Sequence, residues 1–309
     1  MSKEIVSGIA ITSLIFAVAL HMPIIGFFCA LFIPLPVLFY RAKLGRNNGA
    51  FVPAGTIIIM LVVLGKPSVD VLVFSELMLI GFLLAEMFEI NLSVEQTVLY
   101  ACGIVLATAA GCLIFYSGVS NTGIGPLLTA YVAQNLELTL DLYRNIGVSE
   151  ENIQVISDSM PQIQYVLVRI IPAFAVMSSL FVSWTTLLIS RPILKSRNLT
   201  VPAFGPLNQW RAPDHLVWGA IGCGVTLLTS AKGLKMIGLN GLLILMTVYF
   251  FQGIAIVSYF FEKKNFPRSI RFFLYSLIAL QQMALLVVIA FGFFDMWLNF
   301  RKLDLNKEK

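Results

Sequence analysis

The chain has 309 residues, of which 58% are hydrophobic and only 12% charged, with a mean hydropathy of +0.88. Soluble domains are roughly 45–50% apolar and about 25% charged, so a soluble globular fold is excluded. The net charge of +5 does not indicate a nucleic-acid partner, because the basic residues sit in short stretches between apolar runs, where they set membrane topology.

Apolar runs of membrane-spanning length recur from end to end, without the alternation of an outer-membrane barrel. The sequence therefore predicts an all-α, polytopic helical integral membrane protein. The first run, 5–20, follows Lys3 and ends near Ala17 and Ala19, which imitates a signal peptide. The residues after it, "HMPIIGFFCALFIPLPVLF", are apolar again, so it is read as a retained first span. Runs at 23–40, 51–64, 71–87 and 97–116 complete an N-terminal membrane part, 1–116. The third is short and carries Pro53 and Gly55.

Residues 117–164 read as an extracytoplasmic amphipathic insert. Leu128, Tyr131, Leu138 and Leu142 share one helical face. In "NIGVSEEN", Gly147 ends one helix, Ser149 caps the next and Glu150 and Glu151 fill its first turn. A second, short helix is expected to run to Pro161, and the insert either lies on the bilayer or covers a cavity.

Four further runs, 165–190, 216–229, 239–261 and 272–298, make a C-terminal membrane part, 165–309. A span needs about 20 residues, so 51–64 and 216–229 are marginal, and eight and nine segments both stay open.

Lys and Arg are concentrated at 41–50 (three), 191–214 (four) and 262–271 (four), while 117–161 holds only Arg144. The first three stretches are assigned to the cytoplasm with the N-terminus, and 117–161 to the outside. With nine spans, Arg301, Lys302, Lys307 and Lys309 would fall outside, against the rule.

No phosphate-binding loop, HExxH or GxSxG motif occurs. His21 and His215 are assigned to opposite membrane faces. The cysteines Cys29, Cys102, Cys112 and Cys223 lie singly in apolar runs and form no metal-ligand spacing. No cofactor, metal or catalytic activity is expected.

Charges at or near membrane depth are few: Glu76, Glu86, Arg169 and Asp295. Such groups are costly and default to functional hypotheses. Glu76 is the deepest and is the first ligand-binding candidate, with Asn240 and Gln252 as weaker ones. Amides in membrane helices more often bond between helices, which also applies to Gln281 and Gln282. Arg169 is read as snorkelling, and Asp295 as finishing its helix and pairing locally. Gly103, Ala107 and Gly111, each four apart, make a small-residue face for close helix packing. Ala220 and Gly224 repeat it briefly.

The stretch "NQWRAPDHLVW" (208–218) sets Asp214 beside His215. Pro213 and Asp214 suit the first turn of a helix, and Trp210, Arg211 and Trp218 suit the membrane interface. No third group orients an acid/base pair. Trp210, Arg211, Pro213 and Trp218 are read as a partner-docking surface.

"IPLPVLFYRAKLG", "FGPLNQWRAPDHLVW", "YFFQGIAIVSYFFEKKNFP" and "FGFFDMWLNFRK" together resemble the YybS-like family of bacterial inner-membrane proteins of unknown function. The most specific pieces are Trp210, Pro213, Trp218, Gln252-Gly253, and Asp295 with Trp297, Phe300 and Arg301. More loosely, the order of the first six segments is similar to the S components of energy-coupling-factor transporters and to MreD-type membrane proteins. The resemblance implies a multi-pass protein of the bacterial cytoplasmic membrane. Without catalytic or ATPase motifs, the expected role is non-enzymatic: solute binding or transport with a partner energising module, or alternatively a scaffold of an envelope complex. Expected contacts are the lipid bilayer, and a membrane or cytoplasmic protein at 191–214 and 262–271, without nucleic acid.

Overall fold

The computed structural model describes residues 2–65 and 69–302, with the side chains of 23–25 and 27 left aside. Lys307 and Lys309, on which the sidedness of the tail turned, lie outside the described residues. The described chain is helical, with no strand: α1 (Lys3–His21), α2 (Pro23–Ala30), α3 (Pro34–Gly49), α4 (Phe51–Leu64), α5 (Val69–Ile90) and α6 (Val94–Val119). There follow α7 (Ile124–Asn145), α8 (Glu150–Ser196), α9 (Leu216–Leu228), α10 (Lys232–Lys263), α11 (Arg268–Leu280) and α12 (Gln282–Leu298).

Local chemistry explains the boundaries. Ser2 accepts from the Ile5 amide at the start of α1. Ser93 and Gln96 form a reciprocal capping box on α6, each bond 3.3 Å long, satisfying two otherwise orphan donors. Gly147, at φ +82°, follows the end of α7 as its spacing predicts. Ser149 then occupies the N-cap position of α8, its carbonyl accepting the Ile153 amide without a side-chain bond, with Glu150 and Glu151 in the first turn.

The helix beginning at Ser149 does not stop at Pro161 but continues for 47 residues, to Ser196. The second insert helix and the sixth apolar run are one continuous helix. An interior proline costs a helix about 3 kcal/mol, which the rest of so long a helix can absorb.

The polytopic helical fold is as expected, with slightly fewer span-length helices than the eight to nine segments marked in the sequence. Among the described residues six helical stretches are long and apolar enough to cross a bilayer, and a seventh is reached only by joining α11 to α12. α4 and α9 have 14 and 13 residues, roughly 20 Å of helix at 1.5 Å per residue, short of an apolar core about 30 Å thick. The last apolar run is not one helix. It bends by 101° between α11 and α12, at Gln281, whose extended backbone (φ −101°, ψ 110°) breaks the hydrogen-bond ladder. The adjacent amides Gln281 and Gln282 mark that break.

The stretch 41–50, expected as a loop, is largely the end of α3, interrupted only by Gly45 at φ +79°. Helices this polar at one end place their charges by tertiary pairing, which a count of basic residues does not show.

The described residues divide into two compact units. The first comprises residues up to Arg169 together with Ser178–Ala203, and the second Ile170–Met177 with the residues from Phe204 onward. In the first, α1, α3, α4 and α5 bury Phe16, Val37, Tyr40, Val52, Met60 and Met78. Phe16 meets Phe74 edge to face at 5.1 Å. In the second, α9, α10 and α12 close on Val217, Ala220 and Tyr249, with Leu245, Ile289 and Phe293 packed around them.

α10 and α12 approach so closely that a Cβ at Gly253 would overlap the Val288 carbonyl. One at Gly292 would overlap the Tyr249 carbonyl. Glycine is what permits this crossing, and it fixes the register of the residues described next.

Candidate functional site

Asp295 lies in the last turn of α12, and the chain after it reverses at Asn299, which is left-handed (φ 40°, ψ 55°). The reversal brings the Phe300 amide to Asp295 Oδ1 at 3.0 Å. It also folds Arg301 back onto the same carboxylate, Nη2 to Oδ2 at 2.8 Å. Arg301 is 1% exposed and Asp295 2%. Two ions this deep persist only if their remaining groups are also satisfied.

Much of that is supplied here. Arg301 Nη1 donates to the carbonyls of Asn208 (3.0 Å) and Trp210 (2.9 Å). Gln252, from α10, donates to Asp295 Oδ2 at 3.3 Å and accepts from the Ala212 amide at 3.2 Å. Arg211 reaches the Met296 carbonyl at 3.4 Å, and the Asn208 amide bonds Glu262. The extended segment before α9, the middle of α10 and the end of α12 are thereby tied into one polar network.

The network collects residues that the sequence shows only as separate motifs: Gln252, Asp295, Arg301 and the backbone around Trp210. Asp214 pairs with Arg211 at 3.4 Å, and no bond joins it to His215, so the adjacent Asp and His form no acid/base dyad. Pro213 and Asp214 accept the first amides of α9, from Leu216 and Val217. Pro213, Asp214 and His215 are exposed, Trp210 and Arg211 half-buried, and Trp218 is 69% exposed. Trp297 packs edge-on against Phe293 at 5.3 Å and stays half exposed.

The first unit holds a second ionic cluster. Arg41 is 1% exposed and spans two carboxylates of α5. Its Nε donates to Glu86 at 2.8 Å, its Nη2 to Glu89 at 2.9 Å. Arg46 lies 3.8 Å from Glu86. Lys43 pairs with Glu4 across exposed ends of α3 and α1 at 2.7 Å. The cluster joins residues 45 and 48 positions apart, a separation no local pattern reveals.

A family model described as a predicted membrane protein, DUF2232, matches residues 10–296. The chain belongs to that family. It is similar to "Uncharacterized protein YybS" of Bacillus subtilis (strain 168), 22% identical over 271 residues, covering 84% of each chain. No solved structure matches. This DUF2232 member is thus a polytopic membrane protein, and the family match runs through both ionic clusters as far as Met296, just short of Arg301.

The three ligand-binding candidates each have their own bonded partners. Glu76 is half-buried in α5 and accepts from the Thr108 hydroxyl of α6 at 2.9 Å. Asn240 accepts from the Ala173 amide at 3.0 Å and donates to the Met236 carbonyl at 2.8 Å, a bond between helices of the second unit. Gln252 belongs to the Asp295 network.

Arg169 lies 3.4 Å over the Tyr165 ring. His21 bonds the Ala17 carbonyl at 2.9 Å. The small-residue face of α6 is open. Gly103, Ala107 and Gly111 are exposed, and a Cβ at either glycine would meet no atom within 4 Å. α6 packs through Ala101, Cys102 and Val105 instead. Among the described residues no group of three His, Cys, Asp or Glu could hold a metal ion.

Proposed function

We propose that this DUF2232 member is a non-enzymatic membrane protein that binds a small solute and works with a separate energising partner. Glu76 carries the reading. It stands roughly two turns into an apolar 22-residue helix, and its one bonded partner among the described residues is the neutral hydroxyl of Thr108. A central acidic residue costs membrane insertion about 2.5–3.5 kcal/mol, and a single hydrogen bond to a charged group returns roughly 1.5–3. A carboxylate kept at that cost, without a cation beside it, is available to a cationic or hydrogen-bonding solute. The similarity of the first six runs to S components supports an external source of energy. The proposed setting is the bacterial cytoplasmic membrane with the N-terminus inside, testable by labelling single introduced cysteines at positions 43 and 121 from either side.

The test of function is purification in lipid nanodiscs, followed by mass spectrometry of co-purified small molecules and thermal-shift screening. A solute that raises the midpoint for the native chain but not for Glu76→Gln supports the proposal. A protein that binds no solute yet retains a stable membrane complex removes it.

A scaffold role is the second reading. Its support is the exposed turn Pro213–His215 with Trp218, anchored from beneath by Arg301 and Gln252. An exposed tryptophan on a helix whose entry is held by buried bonds suits a docking surface for another envelope protein. The open face of α6 adds a second place where a partner helix could approach. Loss of a co-purifying protein from Trp218→Ala, with the fold retained, would favour this reading over solute binding.

A further inference from the structure

The second unit forms a half-open apolar pocket of about 290 Å³ near the end of α10, lined by Ile256, Val257, Phe261, Phe266, Phe291 and Phe300, with Lys264 as the one charged residue of its wall. We propose that it is a site for an anionic phospholipid, with one acyl chain in the aromatic cavity and the headgroup phosphate at Lys264.

The cavity is built by specific bonds. Arg271 donates to the carbonyls of Phe266 at 2.8 Å and Phe261 at 3.2 Å. This folds the chain after α10 back on itself through the left-handed Asn265 and sets the two rings edge to face at 5.5 Å. On the opposite wall, the Asp295 carboxylate holds the Phe300 amide, and the Phe300 ring meets Phe291 at 5.5 Å. The polar network therefore shapes one side of an apolar pocket. Preformed pockets of roughly 300–1,000 Å³ are the usual form of small-molecule sites, and this one is at the lower limit, suited to a chain segment rather than a whole amphiphile.

The wall chemistry selects the occupant. A polar solute would leave its groups unbonded against phenylalanine and isoleucine, whereas an acyl chain needs no partners. The mouth is basic. Lys264 on the pocket wall is exposed, its sequence neighbours Lys263 and Arg268 are exposed as well, and the acid of the same stretch, Glu262, is engaged by Asn208. The Lys264 ammonium makes no hydrogen bond or ion pair among the described residues, its backbone amide alone bonding the Phe260 carbonyl, so the ammonium is available to a phosphate. Basic clusters at the end of membrane helices recognise anionic headgroups in this way.

Native mass spectrometry of the full chain from nanodiscs of equal phosphatidylglycerol and phosphatidylcholine tests the site. The native protein should retain one lipid, enriched in phosphatidylglycerol. Lys264→Gln should lower that enrichment about fivefold, the factor one cationic residue at an anionic surface is worth. Lys232→Gln, at the far end of α10, should leave it unchanged. Val257→Phe, which fills the cavity, should abolish retention, with size-exclusion and circular-dichroism profiles confirming the fold. A retained lipid indifferent to headgroup charge, or unaffected by both Lys264→Gln and Val257→Phe in folded protein, overturns the proposal.

Discussion

Asp295 and Arg301 stand six residues apart in sequence, yet they form a buried ion pair at 2.8 Å because Asn299 reverses the chain between them. A buried pair contributes little net stability when both partners are exchanged for apolar groups, but losing one partner leaves an uncompensated charge. Arg301→Met should therefore destabilise the second unit by about 3–5 kcal/mol. The double variant Asp295→Leu/Arg301→Met should recover much of that loss. Thermal or denaturant unfolding in detergent micelles measures both. Equal losses in the single and double variants would show instead that the Arg301 bonds to the Asn208 and Trp210 carbonyls, not the charge pair, hold the tail.

The two ionic contacts of α3 should differ in weight. Arg41 is buried between Glu86 and Glu89, while Lys43 and Glu4 are both largely exposed. Arg41→Gln strands Glu86, itself mostly buried, and should cost roughly 3 kcal/mol or more. Lys43→Ala removes a screened surface pair and should cost at most about 1 kcal/mol. Raising salt should erase the Lys43 effect and leave the Arg41 effect nearly intact. Unfolding curves of both variants at low and high salt decide the point.

What could be read from the sequence follows from the range of each signal. Hydropathy and capping are local, so α1, α5, α6, the Ser149 cap and the Gly147 stop are visible in the residues themselves. The marginal length of α4 and α9 is visible too. The break at Gln281 is not, because two adjacent amides in an apolar run fit a continuous span as well as a kinked one. Nor is the continuation of α8 through Pro161, since a proline's local penalty is read more easily than the long helix that absorbs it. The polar network was legible only in parts. Gln252, Asp295, Arg301 and Trp210 each stand out as odd residues, but their meeting depends on the close approach of α10 and α12 at Gly253 and Gly292. Glu89 and Thr108 carry no local mark at all, and only the fold shows what they bond.

Glycines of similar appearance should respond in opposite ways. Gly292→Ala drives a Cβ into the Tyr249 carbonyl and the Gly253 amide, and overpacking of this kind costs typically 1–3 kcal/mol. Gly103→Ala and Gly111→Ala meet open space and should stay within about 0.5 kcal/mol of the native chain. If the open face of α6 receives a helix from another protein, the same two substitutions should weaken that association without changing monomer stability. Unfolding midpoints and co-purification yields separate the two effects.

Glu76 gives the prediction that bears most on function. Its bond to Thr108 joins α5 to α6, so a purely structural role is a definite alternative with a distinct signature. If the carboxylate only bridges helices, Glu76→Leu and Thr108→Val should each cost about 0.5–3 kcal/mol, and the double variant no more than either single one. If the carboxylate is retained for a ligand, removing a half-buried charge relieves a desolvation cost. Glu76→Leu should then leave stability unchanged or raise it, while abolishing any solute-induced thermal shift. Thr108→Val, which leaves the charge in place, should preserve the shift in weakened form. A Glu76→Leu chain that unfolds more easily yet still responds to solute would assign Glu76 to helix packing and leave solute binding without its site.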